Sequence, residues 1–296
     1  MRNKTDEIYY NALVIPGMVF IFIFSILPMF GIIIAFKNFV PAKGIFGSDW
    51  VGLKHFRRMF MTAEVRNVLY NTVYLAVIKM VLNLIVPIIF AVLLNEIKNL
   101  VYKRVLQTFV YLPHFLSWVI LGIMFSNIFG FNGMFNKVVG LFGVEPVMHM
   151  ISNGSFRKVL IFTDIWKNFG YGAIIYIAAI TNIDPNLYEA AEIDGANRLH
   201  KMLYITLPSI RPTIVLMATL SLGSILNAGF EQVFAMYSPL VYETGDIIDT
   251  YVYRMGLTKA QYSFSTAVGL FKSVVSFCLI TLSYWLANKF AGYTIF

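Results

Sequence analysis

The 296-residue sequence predicts an all-α integral membrane protein with about six transmembrane helices. Hydrophobic residues make up 58% of the chain and charged residues only 13%, whereas about a quarter of a soluble domain is charged. Several apolar runs reach the roughly 20 residues that a helix needs to cross a bilayer. The alternating pattern of a membrane barrel is absent. Helices are therefore expected, because a spanning segment must pair its own backbone polar groups.

Six apolar runs are the expected spans. They cover residues 13–36, 68–94, 109–129, 159–180, 214–233 and 264–289. Pro28 interrupts the first run and Pro87 is expected to kink the second, which a membrane helix tolerates when neighbours pair the freed carbonyls. Since neither an internal repeat nor a second folded segment is visible, residues 1–296 are expected to form a single transmembrane domain.

The segment between the first two runs, residues 37–66, is the most basic loop of the chain. Its apolar residues recur at helical spacing, so an amphipathic helix at the membrane surface is expected through Leu53, Phe56, Phe60 and Met61. Arg57 and Arg58 lie within this helix. The net charge of +8 is spread among apolar spans, which favours contact with a membrane surface over binding of nucleic acid.

Residues that could carry metal or covalent chemistry are few. Cys278 is the single cysteine, so no disulfide forms within the chain, and we expect it to be a small core residue. The histidines lack metal-ligand spacing; they are His55, His114, His149 and His200. Neither a Ser/His/Asp set nor paired carboxylates can be assembled. The sequence therefore indicates a protein that is not an enzyme and binds no cofactor or metal itself.

Residues 182–212, here called the EAA segment, are a polar stretch with the pattern of two short helices. Asp184 can cap the first helix, and Pro185 suits its first turn. Gly195 permits the backbone conformation that ends a helix. The second helix passes through Leu199, Met202 and Leu203 and is stopped by Leu207-Pro208 and Pro212.

This pattern resembles the EAA loop of permease subunits in binding-protein-dependent ABC importers. The matching elements are Glu189-Ala190-Ala191, Asp194-Gly195-Ala196, and Ile205 followed by Leu207-Pro208. The resemblance implies the type I ABC importer permease fold and a cytoplasmic coupling helix that sits in a cleft on an ATPase subunit. The residues it assigns to ATPase coupling are Glu189, Ala190, Ala191, Asp194, Gly195, Leu207 and Pro208.

The same resemblance predicts the orientation of the chain. With six spans and a cytoplasmic EAA segment, both termini are cytoplasmic and residues 37–66 lie outside. That placement conflicts with the positive-inside rule, which expects the most basic loop in the cytoplasm. We give the motif more weight than the charge count. The conflict leaves two explanations: the cations belong to an interfacial helix, or the outer face meets something anionic.

Further motifs look like the oligosaccharide-type branch of sugar ABC permeases. They are Gly229-Phe230-Glu231-Gln232-Val233-Phe234, residues 249–254 and residues 264–272. The resemblance implies a bacterial cytoplasmic membrane protein that works with a second homologous permease subunit, two ATPase subunits and an extracytoplasmic solute-binding lipoprotein. The chain has no Gly-x-x-x-x-Gly-Lys-Ser/Thr phosphate loop, so ATP and Mg²⁺ are expected in the partner ATPase.

An oligosaccharide path needs aromatic faces and hydrogen-bonding side chains. The candidates in the fourth and fifth spans are Trp166, Asn168, Tyr171, Asn227, Glu231 and Gln232. Ionisable residues within spans are costly and usually functional or paired; they are Lys79, Asp164, Lys167, Glu231 and Lys272. For Lys79 and Lys272, tying helices together or reaching the membrane surface is favoured over substrate contact.

Other functions remain open at this point. An ABC permease for a non-sugar solute would share most of these features. An ion-coupled secondary transporter would want paired acids or discontinuous helices in two repeats, and a membrane-embedded enzyme would want clustered catalytic residues. A further hypothesis is that Arg57 and Arg58 indicate an anionic, uronate-containing oligosaccharide.

Overall fold

The computed structural model describes residues 4–291, which are helical apart from one pair of two-residue strands and the connecting loops. The α-helices are α1 (Lys4–Ile21), α2 (Leu27–Met29), α3 (Gly44–Gly47), α4 (Lys54–Met61), α5 (Ala63–Asn95), α6 (Leu100–Tyr111), α7 (Trp118–Ile128), α8 (Met134–Gly140), α9 (Phe156–Thr181), α10 (Pro185–Ile193), α11 (Arg198–Lys201), α12 (Leu207–Ser209), α13 (Arg211–Leu222), α14 (Phe230–Met236), α15 (Tyr242–Gly245), α16 (Ile248–Tyr253) and α17 (Tyr262–Ala291). Strands β1 (Lys37–Asn38) and β2 (Asp49–Trp50) pair antiparallel, with Lys37 opposite Trp50 and Asn38 opposite Asp49.

Tighter and wider helical turns lie between these elements. The 3₁₀ segments are Phe30–Phe36, Pro41–Lys43, Leu112–Phe115 and Pro239–Val241. The π segments are Phe22–Ile26, Met202–Thr206 and Arg254–Thr258. The first two π segments directly precede a Leu-Pro pair, where proline cannot donate to the helical ladder.

The described helices include several that can cross a membrane. Three stretches qualify by length and composition, namely Ala12–Phe36, Ala63–Asn95 and Tyr262–Ser283, and two bent helix pairs raise the number to as many as five. The 26-residue α9 is also long enough to span, although it carries Asp164 and Lys167. The prediction of an all-α, multi-pass membrane protein is confirmed.

The third expected span, residues 109–129, is not one continuous helix. Helix α6 begins earlier, at Leu100, and is followed by the 3₁₀ turn Leu112–Phe115; the pair formed by Leu100–Phe115 and α7 is bent by 104°. Pro113 lacks the N–H that a continuing helix would need. Ser117 then caps α7 by accepting a hydrogen bond from the Ile120 N–H at 3.3 Å.

The fifth expected span, residues 214–233, is also broken. Helix α13 ends at Leu222, the chain turns irregularly, and α14 starts at Phe230. The break ends at Gly229, whose φ of +88° lies in the left-handed region, where a side chain would be strained. The Asn227 side chain accepts a hydrogen bond from the Gly229 N–H at 3.2 Å. The expectation of a single helix was wrong because this local turn replaces the helical ladder.

One further expectation needs correction: Cys278 is exposed rather than in the core. It shares one side of α17 with Val274 and Phe277, which are also exposed; exposed apolar residues on a spanning helix suit a lipid-facing surface. The segments between spans also contain short helices, namely α8 after the third span and α15 and α16 before the last.

The chain divides into two compact units. The smaller comprises the described residues up to Ala63 together with Tyr251–Ser273. In it, the helix predicted near residues 53–61 is present as α4, and its position at a membrane surface stays a prediction. Its buried face holds His55 and Met59, while Leu53, Phe60 and Met61 are exposed. Phe36 packs on the ring of Phe56, with centroids 5.4 Å apart.

The larger unit comprises Glu64–Thr250 and the described residues from Val274 onward. One core cluster joins α5, α7, α9 and α14 through Leu75, Phe125, Leu160 and Val233. A second cluster joins α5 and α9 near the EAA segment through Ala91, Ala173, Tyr176 and Ile210. These clusters hold α9 between its neighbours, and this helix contributes Asp164 and Tyr176 to the cavity described below.

Candidate functional site

The first helix of the EAA segment, α10, begins as its sequence predicts. Asp184 is the N-cap, and its carboxylate accepts a hydrogen bond from the Asn186 N–H at 3.0 Å. Pro185 occupies the first helical position, where no intrahelical donor is required. The start of α10 is therefore specified by local hydrogen bonding and by the proline at its first position.

The end of α10 is a Schellman motif centred on Gly195. The Ala196 N–H donates to the Ala191 carbonyl at 2.8 Å, and the Gly195 N–H donates to the Glu192 carbonyl at 3.1 Å. Gly195 has φ +76°, and a Cβ there would meet no described atom within 4 Å. Glycine is therefore required by backbone conformation rather than by space.

Two side-chain contacts join α10 to the second half of the EAA segment. The hydroxyls of Tyr188 and Thr206 are 2.9 Å apart and hydrogen-bonded. Glu192 forms an ion pair with Lys201. The hydrogen bond from Lys201, followed by its positive charge, lowers the pKa of the Glu192 carboxyl. The short helices α10 and α11 are thus held together.

The EAA segment exposes large apolar side chains although it is a polar stretch of sequence. Ile193 is 87% exposed and Tyr204 is 73% exposed. Leu187, Leu199 and Leu203 are exposed as well, and so are Glu189 and Ala190. An apolar patch rimmed by polar residues is typical of a protein-binding surface.

The EAA segment joins the next helix through a wide turn and a bend. The Leu207 N–H donates to the Met202 carbonyl, which closes the π turn just before Pro208. At Ile210, which is fully buried, the chain bends by 58° into α13. This geometry connects an exposed surface directly to the start of the fifth span.

The larger unit also contains a cavity of about 280 Å³. Residues from α5, α9, α13 and the break before α14 surround it. The lining residues are Ala76, Lys79, Met80, Asn83, Leu84, Asp164, Gly172, Tyr176, Met217, Ser221, Ser224, Asn227, Ala228 and Gly229. The cavity therefore combines apolar walls with hydroxyl, amide and charged groups, a composition common in small-molecule sites.

Lys79 is the central polar group of the cavity and is 95% buried. Its ammonium donates to the Ala228 carbonyl at 2.7 Å and to the Gln232 amide oxygen, and it lies 3.9 Å from an oxygen of Asp164. Asn83 donates to the other Asp164 oxygen at 2.8 Å. The prediction that Lys79 ties helices together is confirmed, because these contacts join α5, α9 and the break in the fifth span.

Gln232 completes this network from the other side. Its amide nitrogen donates to the Leu160 carbonyl at 2.7 Å and to the Thr163 hydroxyl at 2.8 Å. All its polar atoms are therefore used within the protein. In this conformation Gln232 positions Lys79 and does not itself line the cavity.

The structure separates the sequence-predicted path residues into groups. Asn227 lines the cavity, whereas Glu231 is exposed outside it. Trp166 packs edge-on against Phe125, with centroids 5.4 Å apart. Asn168 and Tyr171 share His114 instead: the Asn168 oxygen is 3.1 Å from Nδ1, and the Tyr171 ring stacks at 4.0 Å.

Several cavity residues were missed by the sequence reasoning. Asn83, Ser221 and Ser224 are the clearest cases. The two serines are three residues apart in an apolar run, a spacing that on a helix would give one polar face and could have been noticed; in the structure Ser221 lies in α13 and Ser224 just beyond its end. Tyr176 could not be found in this way, because an isolated tyrosine in a span has no such pattern.

The described structure is a multi-pass helical membrane fold in which an exposed segment leads into a broken span. Residues 83–292 match the family described as "Binding-protein-dependent transport system inner membrane component". The chain belongs to this family, so the resemblance found in the EAA segment is confirmed.

Similar proteins extend over nearly the whole chain. Protein LplB of Bacillus subtilis (strain 168) is 43% identical over 97% of this chain and 90% of its own length. The polygalacturonan/rhamnogalacturonan transport system permease protein YteP of the same organism is 42% identical over 95% and 88%. A solved structure of "a bacterial ABC transporter involved in the import of the acidic polysaccharide alginate" has a chain 35% identical, with a TM-score of 0.88 and 97% of both chains covered. The predicted type I importer permease fold is thereby confirmed.

Proposed function

We propose that this chain is the membrane-spanning permease subunit of an ATP-driven importer that passes an oligosaccharide into the bacterial cytoplasm by alternating access. The observation that carries the proposal is the EAA segment, which exposes a capped helix and five large apolar side chains at the entry to a transmembrane helix. The similar polygalacturonan/rhamnogalacturonan permease and alginate importer support an oligosaccharide, and the alginate importer supports an acidic one.

In this proposal the EAA segment docks on an ATPase subunit. Ala190 lets the partner approach closely, Glu189 offers a carboxylate to a basic residue, and Ile193 supplies apolar contact. Glu189, Ala190 and Ile193 are all exposed. Ala191 and Asp194 belong to the same helix end, and Gly195 makes its turn. The partner ATPase binds ATP and Mg²⁺.

Movement of the docked helix then reaches the fifth span. Tyr188 and Glu192 bind Thr206 and Lys201, so α10 and α11 move together. Leu207 and Pro208 connect them through the bend at Ile210 to α13. Closure of the ATPase pair tilts these elements as rigid bodies, which is a common mode of alternating access.

The cavity beside Lys79 is the proposed substrate path within this subunit. Asn227, Ser221 and Ser224 offer hydrogen bonds to sugar hydroxyls, and Tyr176 offers an aromatic face. Gln232 acts by positioning Lys79. For Trp166, Asn168, Tyr171 and Glu231 the path would have to run along other faces of α9 and α14.

The complete transporter in this proposal contains a second homologous permease subunit, two ATPase subunits and an extracytoplasmic solute-binding lipoprotein. The chain is placed in the cytoplasmic membrane with its termini and EAA segment inside. This orientation puts α4 outside, where a binding protein would deliver substrate.

Isolation of the chain from its native membrane tests the proposal. We compare wild type with Glu189→Lys and Gly195→Pro, and use Glu145→Lys, a charge change on an exposed loop residue, as the matched control. Mass spectrometry should find a second permease and an ATPase with wild type and control, and at least a tenfold loss of ATPase with the two variants. Gly195→Pro should disrupt the end of α10, because proline cannot adopt the φ of +76° found at Gly195.

Uptake measurements then separate the alternative functions. ATP-dependent oligosaccharide uptake that persists in the presence of ionophores supports the importer. Recovery of the chain alone, with uptake that stops when the ion gradient is collapsed, would instead support an ion-coupled secondary transporter. ATP-dependent uptake of other solutes only would leave an ABC permease for a non-sugar solute.

A further inference from the structure

A groove of about 500 Å³ runs along α4 in the smaller unit. We call it the α4 groove; its lining residues are Val51, Leu53, Lys54, Arg57, Arg58, Met61 and Thr62. Three of the seven carry positive charge and the other four are uncharged. The groove therefore presents a positive surface with apolar edges.

Neither of the two ion pairs described within residues 4–291 involves these three cations. Those pairs join Lys79 to Asp164 and Lys201 to Glu192. Lys54 and Arg58 also lower the pKa of His55, adding to the larger effect of its burial. The local potential is thus positive and is available to an anion.

Arg58 is held in place, while most of its donors are unused within the described part of the chain. Its guanidinium lies 4.5 Å from the ring centre of Phe264, and Nη2 donates to the Gln261 amide oxygen at 3.2 Å. A guanidinium carries five N–H donors in a planar fork. A fork oriented in advance can bind a carboxylate through two parallel hydrogen bonds, with less entropy lost than for a free side chain.

The residue before the groove residue Val51 presents an exposed aromatic ring. Trp50 is 63% exposed, and its ring stacks on Phe36 with centroids 5.8 Å apart and an interplanar angle of 10°. The stacking fixes the orientation of the indole. A fixed, accessible aromatic surface can pack against the C–H groups of a sugar ring.

We propose that the α4 groove binds the carboxylate groups of an acidic oligosaccharide, so that this subunit recognises its substrate by charge. The inference rests on the proposed function and specifies the substrate class. From Lys54 to Arg58 the cations extend over about 6 Å of helix. Such a spread suits charges repeated along a chain of sugar acids better than the single phosphate of a lipid headgroup.

Binding to the purified full-length chain in phosphatidylcholine nanodiscs tests this proposal. The probes are a trisaccharide of galacturonic acid and the corresponding neutral trisaccharide of galactose, measured by calorimetry at low and high salt. Wild type should bind the acidic probe and lose affinity at high salt, because exposed charges are screened. Arg57→Gln/Arg58→Gln should weaken acidic binding at least tenfold and leave neutral binding unchanged.

Two further variants test whether the effect comes from the groove cations rather than from misfolding or from loss of any surface charge. Lys54→Gln/Arg57→Gln changes only exposed residues and leaves the Arg58 contacts intact, so it should weaken acidic binding even if the first variant misfolds. Lys43→Gln removes an exposed cation outside the groove and should change nothing. Equal affinity of wild type and both groove variants for the acidic probe would overturn the proposal.

Two outcomes distinguish the remaining possibilities. If wild type did not bind the acidic probe but retained phosphatidylglycerol selectively through the three cations, the result would overturn the proposal in favour of a lipid site. The ATPase should co-purify with both groove variants, since α4 lies outside the EAA segment. Failure of that co-purification in wild type would count against the importer itself, independently of the groove.

Discussion

Single residues decide where the helices of this chain start, end and bend. Asn99 accepts hydrogen bonds from the Val101 and Tyr102 N–H groups at 3.0 and 3.1 Å, which starts α6. Asp184 does the same for α10, and Gly195 ends it. Side-chain caps of this type follow local chemistry. The ends of α10 were therefore predictable from the sequence alone.

His55 should make the stability of the chain depend on pH. Burial in α4 lowers its pKa from the usual 6.5, and Nε2 lies 3.2 Å from the Lys37 carbonyl. The unfolded chain then binds more protons in acid, so the free energy of unfolding should fall as pH drops below about 6.5 and level off above it.

Thermal unfolding in detergent between pH 5 and pH 8 measures this effect. His55→Gln should flatten the curve, whereas His200→Gln, on the exposed helix α11, should leave it as in wild type. An unchanged slope in the His55 variant would show that another group controls the response.

At the scale of elements, continuous spans were easier to predict than broken ones. The apolar run that became α17 contains no proline, and the one that became α5 contains only Pro87, which lies inside the helix. In the third and fifth spans, Pro113 with Ser117 and Asn227 with Gly229 create alternative turns. A hydropathy pattern cannot reveal such turns, because the residues around them stay apolar in either conformation.

Gly170 should control the distance between α6 and α9. A Cβ at this position would lie 2.2 Å from the Val110 carbonyl oxygen, so Gly170→Ala must push the helices apart. Overpacking of this kind costs about 1–3 kcal/mol, which predicts an unfolding temperature several degrees lower.

Gly269→Ala is the matched control, because a Cβ there would meet no described atom within 4 Å. Both variants are compared with wild type by thermal unfolding in the same detergent. Equal unfolding temperatures for the two would mean that α6 and α9 tolerate a wider separation.

At the scale of the whole molecule, the polar residues of the candidate site act as a group. Lys79 and Asp164 were visible in the sequence as costly ionisable residues in apolar surroundings, and Gln232 was visible as a hydrogen-bonding residue in the fifth apolar run. Their assembly around one cavity was not predictable, because residues of α5, α9 and the fifth span meet only through tertiary packing. Sequence chemistry therefore identified some members of the site but not its arrangement.

Lys79→Met should strongly destabilise the chain. The change leaves Asp164 without its buried cation and removes the donor to Ala228 and Gln232. Breaking a buried pair from one side costs about 3–5 kcal/mol, which corresponds to a fall of about 10 °C in unfolding temperature.

Adding Asp164→Leu to Lys79→Met should restore part of the loss, because no unpaired carboxylate remains. Lys137→Met, which removes an exposed lysine from α8, serves as the control and should change little. Strictly additive losses in the double variant would show that Lys79 and Asp164 are not energetically coupled.

The π turn at Met202–Thr206 affects how the EAA segment is aligned with the fifth span. Successive residues of an α-helix are about 100° apart around its axis, and a π turn contains one residue more than an α turn. Insertion or deletion of a single residue here would rotate the helix that follows by about that angle. The alignment of the EAA segment with the fifth span could then change through chain length alone, with every side chain of both preserved.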